Sequence, residues 1–147
     1  KPARAGLIKG PVELVLGALR AVEARPNLQV AGRLAAQLGQ DLFAPPTVKG
    51  WEGGRLWVTS ASLLQRNNSI TTLLSGQMGR LGTPATRAWA KAPAAVKFYT
   101  ELLLARDLTP AARARLEGYP VQTQGDGARQ TRGLLQLIMT LPEFQLT

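Results

Sequence analysis

The sequence predicts an all-α fold, an irregular bundle of about six helices in a single domain over residues 1–147. Leu (24) and Ala (21) together number 45, whereas Val (8) and Ile (3) number only 11. Straight-chain residues favour helices and β-branched residues favour strands. Signals that start and stop helices also recur along the chain, and 147 residues suffice for one hydrophobic core but not for two.

Two helices are predicted in the first 39 residues. Proline suits the first helical position, so a helix is expected from Pro11 to about Arg25, where a second proline stops it. Asn27 is expected to cap a second helix to about Leu38, with Gly39 at a left-handed terminus. The first helix carries an apolar stripe at helical spacing: Val12, Val15, Leu16, Leu19 and Val22. We expect the two helices to pair antiparallel.

Residues 40–58 are predicted to form a long loop between helices two and three. They hold two of the ten prolines, three of the fifteen glycines and two of the three tryptophans. So long a loop is uncommon in a compact domain and is usually functional or disordered. The residues expected to shape its backbone are Pro45, Pro46, Gly50, Gly53 and Gly54. The apolar residues expected to keep it packed and ordered are Leu42, Phe43, Val48, Trp51, Leu56 and Trp57.

Helices three to five follow the loop. Thr59 or Ser60 is predicted to cap the third helix, which runs to about residue 74. Its apolar residues are Leu63, Leu64, Ile70, Leu73 and Leu74. Thr83 followed by proline predicts a short helix, and Pro93 predicts the start of another.

The last helices are marked in the same way. Thr109 followed by proline predicts a helix to about Glu117. A polar connection over 118–127 leads to a final helix over 128–140, and Pro142 is expected to end it before a tail anchored by Phe144. The apolar residues of the final helix expected to face a core are Leu134, Leu135, Ile138 and Met139.

Composition excludes several kinds of chemistry. The chain has no His and no Cys, so it cannot supply a Cys/His zinc cluster, a Ser-His-Asp triad or a disulfide. The glycine-rich stretch 50–55 lacks the spacing and the preceding strand of a phosphate-binding loop. No metal site and no cofactor is predicted, and no residue is assigned a catalytic role.

The net charge of +9 is diffuse. Residues 1–75 hold nine bases and four acids, residues 76–147 hold nine bases and five acids, and no two bases are adjacent. Nucleic-acid-binding modules cluster basic residues on one face or interleave them with aromatic side chains on which nucleobases stack, and this chain has only eight aromatic residues. Nucleic acid is therefore not the predicted partner. No apolar stretch reaches the ~20 residues of a transmembrane helix, and the first residues do not form a secretory signal.

Two tryptophans and two cations are the candidate ligand-binding residues of the loop. Trp51 and Trp57 would offer flat apolar surfaces to a sugar ring or a peptide, and Lys49 and Arg55 would contact a carboxylate or a phosphate. The alternative is structural: both tryptophans fill the gap between helices one to three, and Arg55 donates to loop carbonyls.

Asp41 and Glu52 bracket the loop and are the candidate carboxylate pair. Paired carboxylates are a route to acid/base chemistry without histidine, and glycosidase chemistry would require the two groups ~5–10 Å apart across a cleft. Acids in loops rich in proline and glycine more often make local hydrogen bonds. The alternative is therefore that Asp41 caps a turn and that Glu52 lies in solvent.

The same loop resembles the C-terminal portion of the bacterial domain of unknown function 1800 family. The resemblance rests on residues 38–51 (LGQDLFAPPTVKGW), with GGRLW and LLQR following. LIKGPVELV at 7–15 and PEFQ at 142–145 agree in order, and 76–127 agree only loosely. The sequence departs from the common family residues at four positions, Thr47, Glu52, Thr59 and Leu141.

Members of that family are long, largely helical and often carry export signals, and their activity is not established. The resemblance therefore implies that the chain is the C-terminal part of an exported bacterial protein, secreted or located in the periplasm or cell envelope. The expected function is that of a non-catalytic helical module that completes a larger fold or binds a protein or polymer partner in the envelope. The N-terminal portion of the same protein is the first expected partner. The alternative is part of an extracellular hydrolase whose catalytic residues lie upstream.

Overall fold

Eight α-helices, one 3-10 turn and a two-stranded ribbon form the part of the chain that the computed structural model describes, residues 7–77, 79–87, 89, 92–104, 107–119 and 127–146. The fold is all-α, as predicted, with eight helices instead of about six. In chain order the elements are α1 (Pro11–Ala21), β1 (Arg25–Pro26), α2 (Leu28–Gln37), the 3-10 turn (Gly54–Trp57), α3 (Ser60–Leu74), β2 (Gly79–Arg80), α4 (Thr83–Thr86), α5 (Ala92–Leu103), α6 (Pro110–Glu117), α7 (Gly127–Thr140) and α8 (Pro142–Gln145).

Helix α1 ends four residues earlier than predicted, at Ala21. Glu23 takes a left-handed backbone conformation (φ +49°), and the residues after it extend into β1 because a residue before proline disfavours the helical region. The core face also differs from the predicted stripe. Leu14 and Ala18, absent from that stripe, are buried, whereas Leu16 is exposed.

The predicted caps of α2, α3 and α6 are confirmed. The Asn27 side chain accepts a hydrogen bond from the Gln29 amide (3.0 Å), and Gly39 follows α2 with φ +98°. Thr59 and Ser62 form a reciprocal capping box at the start of α3. Thr109 accepts from the Ala112 amide (3.2 Å). These short polar side chains begin each helix at the residue, or the pair of residues, that the sequence indicates.

Two predictions about the later elements need correction. Gly82, not Thr83, is the N-cap of α4. The segment after Pro142 is a helix, α8, and not a tail, because the bend at Leu141 lets Pro142 open a new turn that buries Phe144. Within the predicted connection over 118–127, residues 120–126 lie outside the described residues, as do residues 1–6.

Helix α7 lies at the centre of the fold and packs against α3, α4, α5, α6 and α8. Its four predicted core residues are fully buried, as expected from their helical spacing. Helices α1 and α2 pack together, and α1 also contacts α3. The core therefore runs from the α1–α2 pair through α3 to the bundle around α7.

An aromatic cluster absent from the sequence predictions holds the segment between α4 and α5. The Trp89 indole N–H donates to the Tyr99 hydroxyl (3.0 Å), which donates to the Pro84 carbonyl (2.6 Å). The Arg87 guanidinium lies 4.2 Å from the Trp89 ring centre, and Thr131 of α7 donates to the Arg87 carbonyl (2.6 Å). Burial raises the pKa of Tyr99.

A terminal clasp joins the segment before α1, helix α3 and helix α8. The Arg66 guanidinium is 2% exposed and donates to Gln145 Oε1 and to the Lys9 carbonyl, both at 2.7 Å. Lys9 Nζ donates to the Phe144 carbonyl (2.6 Å) and lies 4.2 Å from the Phe144 ring centre. Burial lowers the pKa values of both cations. The two ends of the described chain thus meet over one buried arginine.

Candidate functional site

The loop between α2 and α3 is built from short hydrogen-bonded turns. The Ala44 amide donates to the Asp41 carbonyl (3.1 Å), and the Gly50 amide donates to the Thr47 carbonyl (2.9 Å). Gly50 has φ +90° and Gly54 has φ +67°, a left-handed region that favours glycine. The Thr47–Gly50 turn carries the exposed Val48 and Lys49 at its tip.

Trp57 closes the loop against the start of α1 and the end of α2. Its ring lies over three glycines, close to where a Cβ would stand on Gly10, Gly39 or Gly53 (3.5–3.9 Å). Beside it, Gln40 Oε1 accepts from the Val12 amide (3.0 Å) and so caps α1 from a distant position. Trp57 is therefore partly buried at a point where the absence of side chains leaves room for a large ring.

Trp51 is half-buried. The other four apolar loop residues are exposed, contrary to the prediction that they keep the loop packed: Leu42, Phe43, Val48 and Leu56. Phe43 is 98% exposed and Val48 is 105% exposed, and further apolar side chains nearby are also in solvent. We define the loop face as Leu42, Phe43, Val48, Leu56, Leu63 and Leu64. Six of the eleven large apolar side chains exposed in the described part of the chain belong to it, so exposure is concentrated here.

Phe43 also has an unusual backbone, with φ +70°. The left-handed conformation is unfavourable for a bulky residue, and complete exposure leaves the ring without packing in return. Neither feature stabilises the isolated chain.

The charged candidates Asp41, Lys49, Glu52 and Arg55 are all exposed. The Arg55 guanidinium donates to no described residue, so the expectation that it satisfies loop carbonyls is wrong; its own backbone carbonyl accepts from Val58 (3.0 Å). Asp41 closes its turn through its backbone carbonyl rather than its carboxylate. None of the four lines the cavity between α1 and α2 or the cavity beside the β1–β2 ribbon, both formed by described residues.

An apolar groove next to the loop escaped the sequence predictions. It has a volume of about 190 Å³ and lies between α1 and α2, where the exposed Leu16 and Leu28 meet Leu42 of the loop face. Leu16 belongs to the apolar stripe predicted on the first helix, but it is exposed and lines this groove. Helical spacing alone did not distinguish its position from that of the buried residues. The loop and the first two helices thus share one apolar surface.

A family model described as a protein of unknown function, DUF1800, matches residues 1–146. The chain belongs to the DUF1800 family. No curated protein and no solved structure matches it. The motifs quoted from the sequence therefore lie in a chain that matches the family almost throughout, including the loosely similar stretch 76–127.

The DUF1800 description assigns no reaction, so function has to be argued from the surface. In the described ranges, no three His, Cys, Asp or Glu side chains are grouped as metal ligands would be. No helix among the described residues combines the length and the apolar character that a bilayer crossing requires. What distinguishes the described DUF1800 surface is the loop face.

Replacing Trp57 with alanine is expected to lower the free energy of unfolding by about 2 kcal/mol, because the ring is partly buried over three glycines. This is less than the ~3–5 kcal/mol that a fully buried tryptophan would lose. Phe43→Ala is the control and is expected to change stability by less than about 0.5 kcal/mol. Urea unfolding followed by tryptophan fluorescence measures both, and equal effects would contradict the placement of Trp57.

Proposed function

We propose that this chain is a non-catalytic module at the C-terminal end of a longer, exported DUF1800 protein, and that its loop face packs on the N-terminal portion of that protein. The observation that carries the proposal is Phe43, which combines full exposure with a left-handed backbone. A strained backbone that no contact within the described chain compensates indicates that Phe43 serves to contact a partner outside it.

The concentration of apolar side chains supports the same conclusion. Single exposed apolar residues are normal, whereas a cluster marks an interaction surface. The loop face occupies residues 42–64, within the segment that carries the resemblance to the longer family proteins. A portion of the same protein is therefore the occupant that we propose.

Charge argues against a second copy of this chain as the occupant. Two chains of net charge +9 repel one another, and the excess favours a partner surface of the opposite sign. Within the loop, Lys49 and Arg55 are free to meet carboxylates at the rim of an apolar contact. The proposed partner surface is apolar at its centre and acidic at its edge.

Hydrogen exchange in the longer protein and in the isolated chain tests the proposal. Amides of residues 42–64 are expected to exchange at least about tenfold more slowly in the longer protein, because docking covers them. The double variant Phe43→Asp, Val48→Asp is expected to abolish this protection and to leave exchange in the isolated chain unchanged. Asp also tolerates the left-handed conformation at position 43.

Leu102→Asp is the matched control, because Leu102 is 48% exposed on α5 and lines a different cavity. It is expected to keep the protection of residues 42–64. Equal exchange rates in the two forms of the unmodified protein would refute docking through the loop face. Loss of protection in the control as well would show that any added charge disturbs the longer protein.

A further inference from the structure

Two arginines face each other across the β1–β2 ribbon. Arg25 pairs directly with Arg80, and Pro26 pairs with Gly79, in antiparallel register. Directly opposed residues of an antiparallel pair carry their side chains on the same face, with Cβ atoms ~5 Å apart, and like charges in that arrangement are destabilising. The ribbon therefore holds two positive charges together at a cost to the fold.

No hydrogen bond or ion pair in the described part of the chain satisfies the two guanidiniums. Both arginines are exposed, and neither guanidinium makes a hydrogen bond or an ion pair with a described residue. Both line one cavity of about 470 Å³, together with the exposed Glu23 and Thr83. The ten N–H donors of the two guanidiniums are thus available at the surface of one cavity.

The backbone under the arginines is tightly packed. The Gly82 amide donates to the carbonyl of the fully buried Val22 (3.0 Å). A Cβ on Gly79 would overlap the Arg25 carbonyl oxygen, and one on Gly82 would lie 2.6 Å from Glu23 Cβ. Because the two chain segments touch backbone to backbone, the separation of the two arginine Cα atoms is set before any ligand binds, and only the side chains lose freedom on binding.

The geometry points to a binding site for a phosphate monoester dianion between Arg25 and Arg80. One guanidinium is enough to bind both oxygens of a carboxylate, whereas a phosphate monoester has three terminal oxygens and a charge near −2, and so can accept from both. Glu23 lines the same cavity and opposes an anion there, so its removal should strengthen binding. This site is separate from the loop face and does not depend on the proposed docking.

Calorimetric titration with glycerol phosphate at low ionic strength tests the site. Arg25→Gln or Arg80→Gln is expected to weaken binding about tenfold or more, since each removes charge-assisted hydrogen bonds. Glu23→Gln is expected to tighten binding severalfold, a gain that damage to the fold would not produce. Arg33→Gln, which removes the same charge from an exposed position of α2, is the control and is expected to stay within about twofold.

A second arm distinguishes a soluble ligand from a lipid headgroup of the same chemistry. Vesicles of phosphatidylcholine with or without phosphatidic acid serve as probes. Saturable binding of glycerol phosphate supports a soluble ester, and binding only to vesicles that contain phosphatidic acid, lost in Arg25→Gln and kept in Arg33→Gln, supports a headgroup. Absence of binding in both arms, or equal weakening by Arg33→Gln and Arg25→Gln, would overturn the site.

Discussion

Arg66→Ala is expected to lower the free energy of unfolding by about 4 kcal/mol. The substitution empties the space of a side chain that is 2% exposed. It also removes the donors that serve Gln145 Oε1 and the Lys9 carbonyl at 2.7 Å. An acceptor left without a partner in a buried position loses its hydration without compensation, and this adds to the cost of the cavity.

The charge itself is not what stabilises the clasp. Burial lowers the pKa of Arg66, and among the described residues its guanidinium meets neutral acceptors and no carboxylate. Arg66→Met removes the desolvation penalty and keeps most of the volume, so it is expected to cost only about half as much as Arg66→Ala. Both variants lose the hydrogen bonds, but only Arg66→Ala loses most of the side-chain volume. The difference between their free energies of unfolding therefore separates loss of packing from loss of the hydrogen bonds.

Urea unfolding of the purified chain measures this series, with Arg55→Ala as the control. Arg55 is exposed and donates to no described residue, so its loss should change stability by less than about 0.5 kcal/mol. The clasp would be disproved as a stabilising contact if Arg66→Ala cost no more than Arg55→Ala.

Gly79→Ala is expected to lower the free energy of unfolding by about 3 kcal/mol. Gly79 has φ +141°, which side chains rarely adopt. A Cβ there would also overlap the Arg25 carbonyl oxygen and lie 3.1 Å from Pro26 Cα. Because the obstructing atoms are backbone, neither strand can give way without breaking the ribbon pairing.

Two other glycines separate the cost of the backbone conformation from the cost of the overlap with backbone atoms. Gly50 has φ +90° but open space around its Cα, so Gly50→Ala is expected to cost about 1 kcal/mol through conformation alone. Gly17 lies within α1 with nothing near it, so Gly17→Ala is expected to add about 0.5–1 kcal/mol of stability. Thermal unfolding ranks the three, and a loss for Gly79→Ala no larger than that for Gly50→Ala would contradict the close approach.

The helices were the predictable part of this fold because their signals are local. Asn27, Thr59 and Thr109 each cap a helix with their own side chain, and a helix begins at Pro11 as expected. The ribbon was not predictable. Its strands have two residues each and pair across more than fifty positions of the chain, so no periodic pattern marks them.

The loop was recognisable from sequence as the unusual segment, but the roles of its residues were not. Phe43 and Trp57 are both aromatic and both flanked by turn residues, yet one is in solvent and the other lies over glycines. Composition suggested that both would be packed. The difference depends on Gly10 and Gly39, which come from the ends of two other helices.

Buried polar contacts could not be predicted from the sequence either. No pattern in the sequence marks Arg66 as buried, and its burial follows from the meeting of α8 with the segment before α1. The sequence by itself determined the helical class, most helix ends and the family, since caps, prolines and motifs act over a few residues. Only the tertiary structure decided which apolar residues stay in solvent and which arginines meet, because exposure and pairing depend on contacts between segments distant in the chain.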